Sequence, residues 1–140
     1  KGGHALLIDE SYNANPASVR AALALLAQSK PGRNGRRIAV LGDMLELGES
    51  SPALHAGLAE ALDSAHVDVL YAAGPLMAHL FQATRAERRG LHAESSEQLK
   101  DALLAGLRPG DVVMVKGSLG SRMGPLVEAM KAKWPAAKDT

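Results

Sequence analysis

The chain has 140 residues, the size of a single domain with one hydrophobic core, and 46% of them are hydrophobic although only 3% are aromatic. The formal net charge of +1 provides no field that attracts nucleic acid or an anionic membrane, and the absence of cysteine excludes disulfides and thiolate metal ligands. No apolar run approaches the roughly 20 residues that span a bilayer, and no signal peptide opens the chain, so we expect a cytoplasmic protein without nucleic-acid or membrane partners.

Short aliphatic runs alternate with longer segments of helical period, a pattern typical of strand–helix–strand crossovers in a parallel sheet. The runs predicted as strands are Ala5–Asp9, Arg37–Leu41, Val67–Ala72, Gly90–Ala93 and Val112–Lys116. We therefore predict an α/β, Rossmann-like fold, with a doubly wound, mostly parallel sheet of about five to six strands and helices on both faces.

Each segment between or after the strands opens with a helix-start signal. These signals are Asn15-Pro16, Ser51-Pro52, Gly74-Pro75, Ser95 with Gln98, and Ser121. Asn15 is expected to cap the first helix rather than to bind a ligand, and the second helix is expected to run from Ser51 through Leu62. Ser95 and Gln98 have the spacing of a capping box.

Ligands of doubly wound folds bind beyond the carboxyl ends of the strands, so the three polar loops found there are the candidate sites. The first loop reads Asp9-Glu10-Ser11-Tyr12-Asn13-Ala14-Asn15-Pro16. Carboxylates can accept hydrogen bonds from ribose hydroxyls, a tyrosine ring can cover a base, and amides can pair with its edge. The loop therefore suits a nucleoside, although an ordinary polar loop that caps a helix is an equally good reading.

The second loop, Gly42-Asp43-Met44-Leu45-Glu46-Leu47-Gly48, follows the second strand. Its apolar residues favour a structural loop that folds back over the sheet, and Asp43 is its one candidate ligand group at the strand end. His55 has no second histidine or carboxylate at metal-binding spacing, so it is expected to be a packed or capping residue. No metal site is predicted.

The third loop, Lys116-Gly117-Ser118-Leu119-Gly120-Ser121-Arg122, is the most site-like of the three. A lysine directly after an apolar strand, with glycines, hydroxyls and an arginine ahead of a helix, suits an anion, because backbone donors and the helix dipole favour negative charge. A carboxylate fits there as well as a phosphate.

The sequence lacks the motifs of a self-contained enzyme. It has no G-x-x-x-x-G-K-[ST] phosphate loop, no G-x-G-x-x-G after the first strand and no G-x-S-x-G elbow. If this chain contacts ATP, it does so from the side, without these usual means of holding the triphosphate.

In this order along the chain, the three loops resemble the Mur ligase family. The strings Tyr12-Asn13-Ala14-Asn15-Pro16 and Gly42-Asp43-Met44-Leu45-Glu46-Leu47-Gly48, with Lys116-Gly117-Ser118 after them, are most similar to the member that handles D-alanyl-D-alanine. The likeness extends from about Ala5 to Met130, nearly the whole chain.

The resemblance implies that residues 1–140 form a single domain, the third and C-terminal domain of a three-domain ligase whose N-terminal and central ATPase domains are absent from this sequence. Such an enzyme uses ATP and Mg²⁺ to activate the carboxylate of UDP-N-acetylmuramoyl-tripeptide as an acyl phosphate, which the amine of D-alanyl-D-alanine then attacks. The C-terminal domain closes over the nucleotide and places the dipeptide. By this resemblance the isolated domain holds no cofactor, contains no catalytic residue of its own, and is expected to be inactive.

The resemblance also implies roles for individual residues. Those expected to face the nucleotide are Asp9, Glu10, Tyr12, Asn13 and Asn15. Those expected to place the dipeptide are Asp43, Lys116, Ser118 and Arg122. Arg122 is assigned to the dipeptide carboxylate on electrostatic grounds. Glu10 stands where the family has a second aspartate, which moves that carboxylate by one methylene.

Two alternatives remain. A phosphoacceptor receiver domain of a signalling protein also has an acidic pair after its first strand and a lysine after its fifth, but its phosphorylated aspartate follows the third strand, where this chain has Ala73-Gly74-Pro75. The second alternative is a non-catalytic binding module that has kept the fold and lost the catalytic activity.

Overall fold

The computed structural model of the chain describes residues 6–9, 14–45 and 47–133, with the backbone alone at residues 6–9 and 119. Its centre is a five-stranded sheet in the order β1-β5-β2-β3-β4, and every neighbouring pair is parallel. The strands are β1 (Leu6–Asp9), β2 (Arg37–Gly42), β3 (Val69–Ala73), β4 (Arg89–Ala93) and β5 (Val112–Lys116). The predicted parallel α/β sheet is confirmed, with a strand count at the low end of the prediction.

The helices are α1 (Pro16–Gln28), α2 (Ser51–Ala56), α3 (Ala59–Ser64), α4 (Met77–Ala83), α5 (Ser96–Gly106) and α6 (Gly124–Lys133). Single turns of 3₁₀ helix occupy Gly48–Ser50, Ala86–Arg88 and Leu119–Ser121.

The two faces of the sheet carry separate hydrophobic cores because side chains alternate along each strand. Ala39 and Leu41 of β2 pack with α1, α3 and α4, whereas Ile38 and Val40 pack with α5 and α6. Helices therefore cover both faces, as predicted. The loops that follow β2 and β3 lead to one layer of helices and those that follow β4 and β5 to the other, which opens a crevice at the carboxyl edge of the sheet.

The first helix begins as the sequence predicted. Asn15 has extended backbone, its side chain accepts a 2.8 Å hydrogen bond from Ser18 N, and Ser18 Oγ accepts one of 3.0 Å from Asn15 N. This reciprocal pair is a capping box built with serine at the third helical position. Asn15 is confirmed as a cap.

The predicted helix from Ser51 through Leu62 is wrong in its continuity, because two short helices, α2 and α3, replace it. The α-helical bonding is interrupted at Gly57 and Leu58, where Leu58 N donates to His55 O, three residues back, at 3.1 Å. Ser51 is the first residue of α2 and not its cap, and its Oγ lies 3.3 Å from His55 Nδ1 instead. The leucine period misleads here, because Leu58 and Leu62 belong to the core whereas Leu54 of α2 is exposed.

Two other predicted helix starts also differ from the structure. Ser95 caps α5 by accepting from Gln98 N at 3.3 Å, but Gln98 Oε1 accepts from Glu94 N, so the predicted capping box is only half formed. Ser121 does not cap α6, which begins three residues later at Gly124. Ser121 Oγ donates to Asp43 O at 2.8 Å.

An ion pair between the partly buried Arg36 and the buried Asp111 links the residues that directly precede β2 and β5, at the amino edge of the sheet. Asp111 is fully buried and accepts from Arg36 Nε at 3.1 Å and from Arg36 Nη2 at 2.8 Å, and also from the backbone of Arg36 and Arg108. The hydrogen bond to Asp111 raises the pKa of the Arg36 guanidinium above its ordinary value, against the opposing effect of burial. This pair fixes the sheet at the end opposite the candidate site.

Among the helices of the described residues, none combines the length and apolar composition required to cross a membrane.

Candidate functional site

A cavity of about 300 Å³ lies in the crevice at the carboxyl edge of the sheet. The loops after β2, β3, β4 and β5 all contribute to its wall. The lining residues are Asp43, Leu45, Ala73, Gly74, Pro75, Glu94, Ser95, Ser96, Glu97, Gly120, Ser121 and Arg122. The cavity is therefore where a doubly wound fold is expected to bind a ligand.

Asp43 lines this cavity, but its carboxylate is occupied by the protein itself. Oδ1 accepts a 2.8 Å hydrogen bond from Met77 N and Oδ2 accepts one of 3.2 Å from Leu76 N, so Asp43 caps the start of α4 from another loop. Asp43 is only 6% exposed. Asp43 therefore has a structural role, and its predicted contact with substrate stays a prediction.

Gly74 makes the approach of Asp43 possible. Its φ is +114°, and a Cβ at this position would lie 2.3 Å from Asp43 Oδ1. Only glycine combines that backbone angle with that contact. The sequence Gly74-Pro75 was predicted only as a helix start. Its glycine also allows the carboxylate of Asp43, in the loop after β2, to approach the backbone.

Ser118 connects the loop after β5 to the loop after β2. Its N–H donates to Asp43 O at 3.2 Å, and its Oγ accepts from Leu45 N at 3.0 Å. Ser118 is not among the lining residues of the cavity. The predicted contact between Ser118 and the dipeptide therefore stays a prediction, while its role in joining the two loops is visible.

His55 is fully buried between α2 and the loop after β2. Its Nδ1 lies 2.7 Å from Ser51 O, a carbonyl that can only accept, so Nδ1 carries the proton. Nε2 is then the acceptor for Met44 N at 3.0 Å. His55 is the packed residue that the sequence predicted, and it also holds the backbone of a loop that lines the cavity.

Arg122 is exposed and lines the cavity, as a residue that binds an anion should. Its φ is +59°, a left-handed conformation that is rare for residues other than glycine, asparagine and aspartate. Its backbone is held there by Ser96 Oγ, which donates to Arg122 O at 2.9 Å. Within the described part of the chain, the Arg122 guanidinium forms no ion pair.

Glu94 and Glu97 add negative charge to the same cavity, and sequence reasoning missed both. Glu94 directly follows β4, and Glu97 lies in the first turn of α5. The rule that selected the other loops, polar residues beyond a strand end, applies equally to β4. The sequence of β4, Arg89-Gly90-Leu91-His92-Ala93, has few aliphatic residues and gives only a weak strand signal, so the loop after it does not stand out.

Lys116 ends β5 beside Leu41 of β2 and is 7% exposed. It is not among the residues that line the cavity. The predicted contact of Lys116 with the dipeptide stays a prediction.

The predicted nucleotide loop falls largely outside the described residues. Glu10, Tyr12 and Asn13 lie outside the described residues. Only the backbone of Asp9 is described, and it lies at the end of β1 beside Val115. Asn15 Oδ1 is occupied by the capping hydrogen bond. The nucleotide contacts remain predictions.

Within the described residues, no group of three or more histidine, aspartate and glutamate side chains is arranged to hold a metal ion. β3 ends at Ala73 with Gly74 and Pro75 after it, so the acid that a phosphoacceptor domain needs is missing from the expected position.

Comparisons with known proteins agree on one family. The family model described as "Mur ligase, glutamate ligase domain" matches residues 1–119. The UDP-N-acetylmuramoyl-tripeptide--D-alanyl-D-alanine ligase of Mycobacterium tuberculosis H37Rv is 34% identical over 94% of this chain and 30% of its own length. The Escherichia coli K12 protein of the same name is 32% identical over 90% of this chain and 27% of its own.

Solved structures give the same likeness. The MurF ligase of Thermotoga maritima in complex with ADP superposes with a TM-score of 0.72 and 27% identity, over 91% of this chain and 28% of that one. A MurF structure from Acinetobacter baumannii has a TM-score of 0.72 and 26% identity, over 86% of this chain and 27% of that one. The chain thus spans less than a third of the length of these relatives.

Proposed function

This chain belongs to the Mur ligase family, and we propose that it serves as the C-terminal domain of an ATP-dependent ligase that adds D-alanyl-D-alanine to UDP-N-acetylmuramoyl-tripeptide. One observation carries the proposal. The sequence likeness to ligases of that name covers 94% of the chain. We therefore propose a role in the synthesis of the peptidoglycan precursor, in the cytoplasm where its UDP-linked substrate is made.

The cavity at the carboxyl edge is the proposed site of the dipeptide. Its volume of about 300 Å³ is at the small end of the range for small-molecule sites, which suits two alanine residues. The guanidinium of Arg122 can bind the dipeptide carboxylate. The amino end of α5, capped by Ser95, also favours a negative charge in the cavity. Glu94 and Glu97 offset that attraction for simple anions, so a zwitterion suits the cavity better than a phosphate.

The nucleotide is proposed to lie at the neighbouring part of the same edge, beyond β1. Asp9 ends that strand, and the residues assigned to ribose and base, Glu10, Tyr12 and Asn13, follow it. The sequence contains no phosphate loop, which supports a division of labour in which a separate central domain holds the triphosphate and Mg²⁺.

In the proposed reaction, ATP phosphorylates the terminal carboxylate of the tripeptide to give an acyl phosphate and ADP. The amine of D-alanyl-D-alanine then attacks the acyl carbon, a C–N bond forms, the C–O bond to phosphate breaks, and the amine loses a proton. The contribution of this domain is to hold the amine in position and to exclude water from the acyl phosphate when it closes.

An assay of the intact protein that carries this chain tests the proposal. Phosphate release should require ATP, UDP-N-acetylmuramoyl-tripeptide and D-alanyl-D-alanine together, and omission of any one should abolish it. Release of phosphate that is independent of the dipeptide would contradict the proposal. The isolated 140-residue chain should release none.

A further inference from the structure

The backbone between Asp43 and Leu45 is held from two sides by hydrogen bonds. Met44 N donates to His55 Nε2 at 3.0 Å, towards α2, and the next amide, Leu45 N, donates to Ser118 Oγ at 3.0 Å, towards the loop after β5. Two successive peptide groups are thereby fixed in orientation. This short segment begins and ends with residues that line the cavity, Asp43 and Leu45.

The histidine side of this arrangement is rigid. His55 is fully buried, and its 2.7 Å contact with Ser51 O fixes both the ring orientation and the tautomer that leaves Nε2 free to accept. The carbonyl belongs to the same helix, one turn earlier, so α2 itself presents the acceptor. A leucine or phenylalanine would fill the same space without polar atoms, so burial alone does not require histidine here.

The position of Met44 controls the cavity wall through its two neighbours. Asp43 Oδ1 and Oδ2 receive the first amides of α4, so a shift of this segment moves the loop after β3 as well. On the other side, Leu45 Cδ1 lies 2.7 Å from where a Cβ on Gly120 would be, so Leu45 packs directly on the turn that leads to Arg122. Three of the four loops that form the wall therefore depend on this segment.

We propose that His55 is a positioning residue of the ligase: by holding Met44 N–H it sets Asp43 and Leu45, and through them the shape of the dipeptide cavity. His55 does not itself contact the substrate. The part of this proposal that concerns dipeptide use rests on the proposed function, whereas the part that concerns the loop does not.

The test compares three variants of the intact protein. His55→Phe keeps a buried ring and removes the acceptor, and His55→Gln retains an acceptor oxygen for Met44 N–H and a donor for Ser51 O. Leu62→Ala is the control for lost stability, because it removes buried volume from α3 in the core that also contains Met44, while the leucine side chain forms no hydrogen bond to the loop. Equilibrium unfolding of each variant measures its stability.

For His55→Phe we expect the KM for D-alanyl-D-alanine to rise about tenfold or more while the KM for ATP changes less than about twofold. His55→Gln should recover most of the loss. Leu62→Ala, although destabilised, should leave the KM for the dipeptide close to that of the unchanged protein. Equal effects of His55→Phe and Leu62→Ala, or no recovery with His55→Gln, would overturn the proposal.

Amide hydrogen exchange of the 140-residue chain separates failure of this proposal from failure of the proposed function. In His55→Phe the Met44 amide should exchange faster than in the unchanged chain and in His55→Gln, and the signals of Leu76 and Met77 should shift. If the unchanged protein shows no dipeptide-dependent activity, the proposed function falls and exchange alone decides the role of His55. Unaltered exchange of Met44 would overturn that role.

Discussion

Asp43 Oδ1 accepts a 2.8 Å hydrogen bond from Met77 N, so a carboxylate from the loop after β2 caps the helix that follows β3. The sequence separation of the two residues hides this relationship from any local pattern. It also gives a structural role to a residue that the resemblance places among the substrate ligands.

Removal of the Asp43 carboxylate should destabilise the fold. Asp43→Ala leaves two amides at the start of α4 without their acceptor, and we expect a loss of about 1–3 kcal/mol in the free energy of unfolding. Asp43→Asn keeps one acceptor oxygen and should lose less than half as much. Urea unfolding of the three proteins measures both values, and a change below about 0.5 kcal/mol for Asp43→Ala would contradict the capping role.

Substitution of Arg122 should separate function from stability. Arg122→Ala and Arg122→Gly both remove the guanidinium, so both should raise the KM for D-alanyl-D-alanine in the intact protein by about tenfold or more. Because φ is +59° at this position, Arg122→Gly should be more stable than Arg122→Ala by about 1 kcal/mol. Kinetics and thermal unfolding provide the two measurements. An unchanged KM in both variants would remove Arg122 from the site.

Gly74→Ala should disturb the cap on α4. The added methyl would meet the Asp43 carboxylate, and the φ of +114° is strained for alanine, so we expect a loss of about 2 kcal/mol or more in the free energy of unfolding. Urea unfolding measures the loss.

Two other glycines provide controls for Gly74→Ala. Gly48 has a φ of +75° and no atom within 4 Å of the position that an added methyl would take, so Gly48→Ala reports the cost of the backbone angle alone. Gly124 at the start of α6 has neither a left-handed backbone angle nor an atom within 4 Å of the added methyl, so Gly124→Ala should be neutral or slightly stabilising. Equal losses for Gly74→Ala and Gly48→Ala would mean that the contact with Asp43 contributes nothing.

The ion pair between the partly buried Arg36 and the buried Asp111 should contribute strongly to stability at the amino edge of the sheet. Asp111→Ala leaves a guanidinium without its partner, with an expected loss of about 3–5 kcal/mol, and the double variant with Arg36→Ala should lose less than the sum of the two single losses. Chemical denaturation of the four proteins completes the cycle. Additive losses would show that the two side chains act independently.

The contribution of Arg36 should not vary with pH under ordinary conditions. Its pKa is raised in the folded state, so its stabilisation is fully present below the unfolded pKa and is lost only as pH rises through the folded value. The folded and unfolded pKa values of Arg36 both lie well above the pH range in which unfolding can be measured. The difference in unfolding free energy between the unchanged protein and Arg36→Ala should therefore be constant over about pH 6–9.

The sheet, its parallel sense and the strand positions could be predicted because continuous aliphatic runs such as that of β5 suit only strands covered on both faces. The break in the helix at Gly57 could not be predicted, because the leucines on either side of it continue the helical period in the sequence. Strand-end reasoning located Arg122 and Asp43 at the cavity. It could not distinguish their roles, which depend on hydrogen bonds between loops far apart in sequence.

Direct competition between acceptor amines tests the central claim, that this domain selects a dipeptide for the ligase. The intact protein would receive ATP, UDP-N-acetylmuramoyl-tripeptide and equal concentrations of D-alanyl-D-alanine, D-alanine and D-glutamate, with the products identified by mass spectrometry. We predict that the tripeptide extended by both alanine residues is the main product. A product extended by a single amino acid, with the dipeptide unused, would contradict the claim.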